Sequence, residues 1–221
     1  MLGEQQGAAL SWRDGSVPVS RQFDDPYFSL EGGLAETRHV FLAGNGLPGR
    51  FREGFHVAEL GFGTGLNLLA TLIAAAGQPL RYTSFEAFPM AAADVARALE
   101  AFPELRAVSG EFVRHWATGA RQFTIDTIQV EVIVGDAREA LPAWQGRADA
   151  WYLDGFAPAR NPELWSHDMM AEVARHTAAG GTFATYTAAG HVRRALAAAG
   201  FQVERQPGHG RKRHMTVGKL P

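Results

Sequence analysis

Val57-Ala58-Glu59-Leu60-Gly61-Phe62-Gly63-Thr64-Gly65-Leu66-Asn67 decides the fold. An apolar run, an acid and three alternate glycines lead straight into a helical pattern. A strand that turns sharply into a helix while a ligand touches its backbone needs residues without side chains, because a Cβ would block both the turn and the approach. Gly61, Gly63 and Gly65 meet that need. A dinucleotide fingerprint would carry its third glycine at position 66, where this chain has Leu66. The G-x-G-x-G form behind Glu59 suits S-adenosylmethionine better than NAD; taken alone, it also fits a plain structural turn or another nucleotide.

Working outward, Arg81-Tyr82-Thr83-Ser84-Phe85-Glu86 reads as a second buried strand ending in an acid. Glu86 lies about 20 residues past the glycines, where doubly wound folds place a carboxylate on ribose hydroxyls. The competing reading is a solvated acid at a strand end. A third strand, Val130 to Val134, ends at Gly135-Asp136-Ala137. Asp136 either accepts from the exocyclic amine of adenine or caps the helix Ala137 to Leu141.

The rest alternates strand and helix, as an open, mainly parallel sheet requires. Strands are predicted near 55–60, 81–86, 129–134, 150–154 and 182–187, with helices near 66–76, 89–101, 103–117, 162–176 and 191–199. Gly200 stops the last helix. Phe201–Gln206 and His214–Lys219 form a terminal hairpin across a turn-rich connection. The expected fold is therefore α/β, Rossmann-like, with a seven-stranded mainly parallel sheet and helices on both faces. Residues 55–221 make up the core unit. Residues 1–54 read as an extension, where Gly, Asp, Pro and aromatics without helical period predict short strands or a lid.

Composition bounds the function. A chain of 221 residues with 46% hydrophobic content can bury a full core. It has no cysteine, which excludes disulfides, thiolate metal sites and a cysteine nucleophile. Neither a leader-like pattern over Met1 to Asp14 nor an apolar run of membrane-spanning length is evident, so a cytoplasmic location and no membrane partner are expected. Net charge is only −2, but its distribution is uneven. From Ala171 onward the acids are Glu172 and Glu204, set against Arg175, Arg193, Arg194, Arg205, Arg211, Lys212, Arg213 and Lys219. Such a basic quarter either steers a polyanion to one face or is a solvated surface.

The second site of interest is Asp154-Gly155-Phe156-Ala157-Pro158-Ala159-Arg160-Asn161-Pro162, which leaves the C-terminal end of a predicted central strand. Ligands in such sheets bind outside those ends. An acid there can orient or deprotonate a nucleophile, or satisfy backbone donors in a tight turn. Phe156, Trp165 and Tyr186 either stack on a planar base or belong to the core.

These segments together resemble the MnmC-type tRNA methyltransferases. The resemblance is carried by Phe23-Asp24-Asp25-Pro26-Tyr27-Phe28-Ser29, by Gly33 to Leu42 with Gly44-Asn45, and by the glycine loop. It is carried further by Ser84-Phe85-Glu86, by Leu153 to Pro162, and by Ala189-Gly190-His191-Val192-Arg193-Arg194. It runs from about Phe23 to the end and implies a class I fold using S-adenosylmethionine. The implied reaction methylates the 5-aminomethyl group of a wobble uridine in tRNA, giving 5-methylaminomethyl-(2-thio)uridine. Many relatives carry a second, FAD-dependent oxidase domain that exposes this amine. The chain is expected to be the stand-alone methyltransferase or a fragment of the fused form, with a separate oxidase or modification enzyme supplying the precursor.

On this resemblance Glu59, Gly61, Phe62, Gly63, Thr64, Gly65, Asn67, Glu86 and Asp136 are expected to bind the cofactor, and Asp154 is the expected catalytic residue. Phe156, Arg193, Arg194, Arg211, Lys212 and Arg213 are expected to bind the anticodon stem-loop, and no metal is expected. Lys212-Arg213-His214-Met215 departs from the family pattern, which has an acid after the basic pair. A sulfonium methyl is already activated, so the protein has mainly to place a neutral amine in line with it. Asp154 would orient that amine and accept its proton directly or through water. Rival readings are a class I enzyme for another small amine and a non-catalytic tRNA-binding partner of a modification enzyme.

Overall fold

The computed structural model describes residues 7–29 and 32–221. The part of the extension at residues 1–6, 30 and 31 lies outside the described residues. The chain opens with three short antiparallel strands, β1 (Leu10–Arg13), β2 (Val17–Ser20) and β3 (Asp25–Pro26). Helix α1 (Gly33–Thr37) follows and runs on through a π-helical turn at Arg38–Leu42 and a 3₁₀ turn at Ala43–Asn45. The absence of helical period had predicted only short strands or a lid here. The winding changes from α to π to 3₁₀ within this run, so no single 3.6-residue period passes through it; it is held by burying Leu34, Val40, Phe41 and Leu42.

The core then alternates strand and helix. In chain order it comprises β4 (Phe55–Leu60), α2 (Leu66–Ala75), β5 (Leu80–Glu86), α3 (Ala92–Leu99), α4 (Arg106–Ala117), β6 (Gln122–Ile125) and β7 (Ile128–Val134). It continues with α5 (Ala137–Ala143), β8 (Ala148–Leu153), α6 (His167–Arg175), β9 (Thr177–Thr185), α7 (Gly190–Ala198), β10 (Gln202–Pro207) and β11 (His214–Lys219). The strands form one sheet in the order β10-β11-β9-β8-β4-β5-β7-β6. Strands β7, β5, β4, β8 and β9 are mutually parallel, and the order reverses between β4 and β8. Ligands of such sheets bind at that reversal, outside the C-terminal strand ends.

The sheet has eight strands rather than the expected seven. The addition is β6, an antiparallel edge strand joined to β7 through Asp126 and Thr127, with Asp126 at φ +49°. Its four residues alternate, with Gln122 and Thr124 exposed and Phe123 and Ile125 turned to the core, but the run is too short to stand out in sequence. Two further boundaries moved. The helix expected over 162–176 is broken by Ser166, which is extended and caps α6 by accepting from the Met169 amide at 3.3 Å. Strand β9 starts five residues earlier than expected and carries a register shift opposite Ala148 and Ala150.

Central strand β4 is buried along its whole length, so alternate residues feed two cores. Val57 and, from β8, Tyr152 join Leu69, Val95, Phe112 and Trp116 of α2, α3 and α4 on one face. Ala58, with Trp151 and Leu153 of β8, joins Leu141, Met170, Val173 and Leu196 of α5, α6 and α7 on the other. Helices thus cover both faces. The extension is stitched to the sheet by Asn45, whose Nδ2 donates to the carbonyls of Phe41 (2.9 Å) and Trp151 (3.2 Å) while Oδ1 accepts from Thr182 Oγ1 at 2.6 Å. Gly44 lies against Ala184 and Val217, where a Cβ would crowd both side chains.

Candidate active site

Three loops meet at the C-terminal ends of β4, β5 and β8. The first runs from Gly61 to Gly65. Gly61 has φ +88° and lies so close to the backbone after β8 that a Cβ would collide with the Asp154 carbonyl oxygen. This contact draws the glycine loop and the Asp154 loop together. Gly63 (φ +54°) faces the ring of Tyr27, and Gly65 (φ +76°) begins α2 with its Cα against Phe112. Gly65 therefore serves helix packing and is absent from the cavity wall. Phe62 is buried with its ring stacked on Trp116 at 5.0 Å and still presents an edge to the cavity.

The second loop follows β5. Glu86 accepts from the amide of Gly63 through Oε2 at 2.9 Å and from that of Phe88 through Oε1 at 2.8 Å. It thereby ties the glycine loop to its own turn. Burial raises its pKa, against the lowering effect of those amides. A carboxylate has about four lone-pair sites, so two remain for hydroxyl donors. Asp136, at the end of β7, caps α5 by accepting from the Arg138 amide, pairs with the Arg138 guanidinium, and lines the cavity as well. The capping half of its double reading is thus observed.

The third loop carries Asp154. Its Oδ2 accepts from Asn67 Nδ2 at 2.6 Å, and the same nitrogen donates to Glu59 Oε1 at 2.8 Å. Burial pushes the Asp154 carboxyl up to about 7; Asn67 and the Lys212 charge act in the other direction. Glu59, fully buried and pushed up by that burial to about 8, accepts from Ser84 Oγ at 2.8 Å. It stands beneath the cavity floor rather than on its wall. Three hydrogen bonds pin the loop's backbone: Tyr186 Oη to the Gly155 carbonyl (2.7 Å), Trp165 Nε1 to the Phe156 carbonyl (2.8 Å), and the Ala157 amide to Asp25 Oδ2 (2.8 Å).

The cavity, open at one side, measures about 1010 Å³. Its roof comes from the extension, whose contribution was expected only as a lid. Phe23 stacks on Phe156 at 4.7 Å, Tyr27 meets Phe156 edge-on at 5.0 Å, and Asp24 pairs with Arg160 at 3.0 Å. Tyr27, Asp25, Glu36 and Thr37 all reach the wall, yet no role had been read for them in sequence. Their signal was the Phe23–Ser29 and Gly33–Leu42 segments, which lack any chemistry-bearing spacing of their own. Phe156 and Tyr186 face the cavity, whereas Trp165 is buried and does not.

The basic residues divide. Lys212 Nζ lies 2.7 Å from Glu36 Oε1 and 3.9 Å from the centre of the Tyr186 ring, inside the cavity mouth. Arg211 also lines that mouth. Arg193, Arg194 and Arg213 lie away from the wall. His214 is half-buried, and its pKa is lowered by desolvation and by the charges of Arg205 and Arg213. Among the described residues no group of three metal-ligating side chains converges, and no helix is long and apolar enough to cross a membrane.

Residues 103–221, more than half of the chain, match the model of a family described as S-adenosyl-L-methionine-dependent methyltransferases. The chain belongs to that family. The match includes the Asp154 loop and the terminal hairpin but begins after the glycine loop. Relatives extend over the whole chain. It is 45% identical, over 98% of its length, to the tRNA 5-methylaminomethyl-2-thiouridine biosynthesis bifunctional protein MnmC of Pseudomonas aeruginosa strain UCBPP-PA14, of which it covers 36%. Against the protein of the same name from Caulobacter sp. strain K31 the identity is 45% over all of this chain and 39% of that one. The chain thus spans little more than a third of the length of the curated relatives it matches.

Among solved structures, MnmC2 from Aquifex aeolicus superposes with a TM-score of 0.79 at 23% identity, covering 99% of this chain and 72% of that one. A precorrin-6y C5,15-methyltransferase from Geobacter metallireducens GS-15 gives 0.53 at 10% identity, over 96% of this chain and 98% of that one. These likenesses establish the class I methyltransferase fold. The family match makes S-adenosylmethionine the cofactor, and the cradle fits it. The wall offers glycine backbone at Gly61 and Gly63, the hydroxyl of Thr64 and the acids Glu86 and Asp136.

Proposed function

We propose that this methyltransferase methylates the 5-aminomethyl nitrogen of a wobble uridine in tRNA, giving 5-methylaminomethyl-(2-thio)uridine. The observation that carries the reading is Asp154, a half-buried acid tuned to about 7, in the same cavity as the glycine loop and beneath an aromatic wall of Phe23, Tyr27 and Phe156. The printed names of relatives 45% identical across the chain support it. Bound S-adenosylmethionine supplies a sulfonium methyl that needs no further activation. Gly61, Gly63, Thr64, Glu86 and Asp136 hold it on one side of the cavity. Asn67, by contrast, serves Asp154 and Glu59.

An alkylammonium cannot attack, so the protein must take up a proton from the amine. Asp154 accepts it, its Oδ2 being held by Asn67 and its Oδ1 left for the amine. The Lys212 charge at the cavity mouth disfavours a second cation beside it, and the aromatic wall desolvates the amine; both favour the neutral nucleophile. A base splayed from a single-stranded anticodon loop reaches such a cavity at lower cost than one in a duplex. The separate roles of the extension (1–54) and the core (55–221) follow: the first roofs the base, the second holds the methyl donor. A separate oxidase or modification enzyme supplies the aminomethyl precursor, in the cytoplasm.

The test is transfer of labelled methyl to two tRNA pools, one bearing 5-aminomethyl and one 5-carboxymethylaminomethyl wobble uridine. Label is expected in the first pool alone. Label in neither, with cofactor bound, would overturn the reading in favour of another amine or of a non-catalytic role.

A further inference from the structure

The buried amide of Asn67 joins two acids, and one hydroxyl decides which way that amide points. Asn67 stands in the first turn of α2 and is 4% exposed. Its Nδ2 donates to both Glu59 Oε1 (2.8 Å) and Asp154 Oδ2 (2.6 Å), which uses both amide hydrogens. Its Oδ1 accepts from Thr37 Oγ1 at 2.9 Å. Thr37 is the last residue of α1, in the extension, and is as buried as Asn67. A carboxamide turned by half a rotation exchanges its acceptor and donor ends with almost no change of shape, so only its partners select between the two. The acids alone select weakly here. Glu59, pushed up to about 8, carries its proton near neutrality and can donate to an oxygen as readily as accept from a nitrogen. The Thr37 hydroxyl is what makes the oxygen end belong on the far side.

We propose that Thr37 is a positioning residue for the methyl transfer: it locks the Asn67 amide with its donor end toward Asp154, and so lets the N-terminal extension set the orientation of the catalytic acid. The proposal rests on the reading that Asp154 receives the substrate amine. Without the Thr37 hydroxyl the amide turns over, its oxygen faces Oδ2, and the bond that lowers the Asp154 pKa is lost. The other groups facing Asp154 stay in place: Glu59 on β4, Tyr82 on β5, Asp25 on β3, Glu36 on α1, Tyr186 after β9 and Lys212 in the terminal hairpin. The proton affinity of Asp154 should therefore rise.

The experiment compares wild type with Thr37→Val, Thr37→Ala and Thr37→Ser, each checked for a cooperative melt. Two readouts are taken: the carboxyl ¹³C titration of Asp154 in the free protein, assigned by its loss in Asp154→Asn, and the pH profile of single-turnover transfer to aminomethyl tRNA. Thr37→Val and Thr37→Ala are expected to raise the Asp154 midpoint by about one pH unit, the scale of one charged hydrogen bond. The acidic limb of the rate should move by the same amount, kcat at neutral pH should fall about fivefold, and KM for tRNA should change less than twofold. Thr37→Ser should behave as wild type. An unmoved midpoint in either folded variant lacking the hydroxyl, or a loss of rate without a pH shift that Thr37→Ser fails to restore, would overturn the proposal. If the midpoint moves yet wild type methylates no aminomethyl tRNA, the amide lock stands and the tRNA reading falls.

Discussion

At the scale of single residues the cavity is organised by acids kept from water. Asp154→Asn preserves shape but cannot take a proton. Transfer should fall at least about a hundredfold while the cofactor Kd stays within about twofold, as read by single turnover and calorimetry. Glu59 gives a different signature, because its folded pKa is raised from 4.5 to about 8. The folded state then binds the extra proton through that window, so the stabilising contribution is full below about 4.5 and is lost as pH rises through about 8. The slope approaches about 1.4 kcal/mol per pH unit inside the window. Glu59→Gln removes the titration, and its amide nitrogen can turn to the Ser84 hydroxyl, which accepts as well as donates. Its Tm should therefore decline less than that of wild type between pH 6 and 9. An identical decline would show that Glu59 does not hold its proton.

At the scale of elements the decisive feature is how two loops approach each other. Gly61 and Gly63 were legible in sequence as a cofactor loop, but the sequence did not show that Gly61 is also required by the backbone after β8. Gly61→Ala should force that backbone away. We expect lower Tm, weaker cofactor binding and slower transfer together, checked by thermal melts and calorimetry. Strand β3 acts on the same loop from above, since Asp25 accepts from the Ala157 amide. Asp25→Ala frees the loop without touching the core. It should lower kcat and leave Tm within a few degrees. Glycine spacing, strand ends and most helix bounds could be read because each rests on local backbone demands. β6 and the Ser166 break could not, since they are too short to show a period, nor could the run from Gly33 to Asn45, whose winding changes from α to π to 3₁₀; all are held by their neighbours.

For the whole molecule, charge and topology govern how a polyanion meets the cavity. Lys212 is committed to Glu36 and Tyr186 at the mouth, which leaves Arg205 and Arg213 as the outlying basic pair of the terminal hairpin. Arg205→Ala with Arg213→Ala should weaken tRNA binding and flatten its dependence on salt by about two counterions, with cofactor affinity unchanged; filter binding across salt concentrations reads both. An unaltered salt slope would place the docking face elsewhere. By itself the sequence determined the α/β alternation, the glycine loop, Glu86 at the end of β5 and Asp154 at the end of β8, because strand periodicity, glycine backbone freedom and the place of acids at strand ends are all encoded in neighbouring residues. Only the tertiary structure decided that Glu59 lies under the floor, that Lys212 enters the mouth, and that Asp25, Tyr27 and Thr37 belong to the site at all. These partners are separated by tens of residues in the chain and are brought together by the sheet order and by burial of the extension, neither of which any local stretch of sequence records.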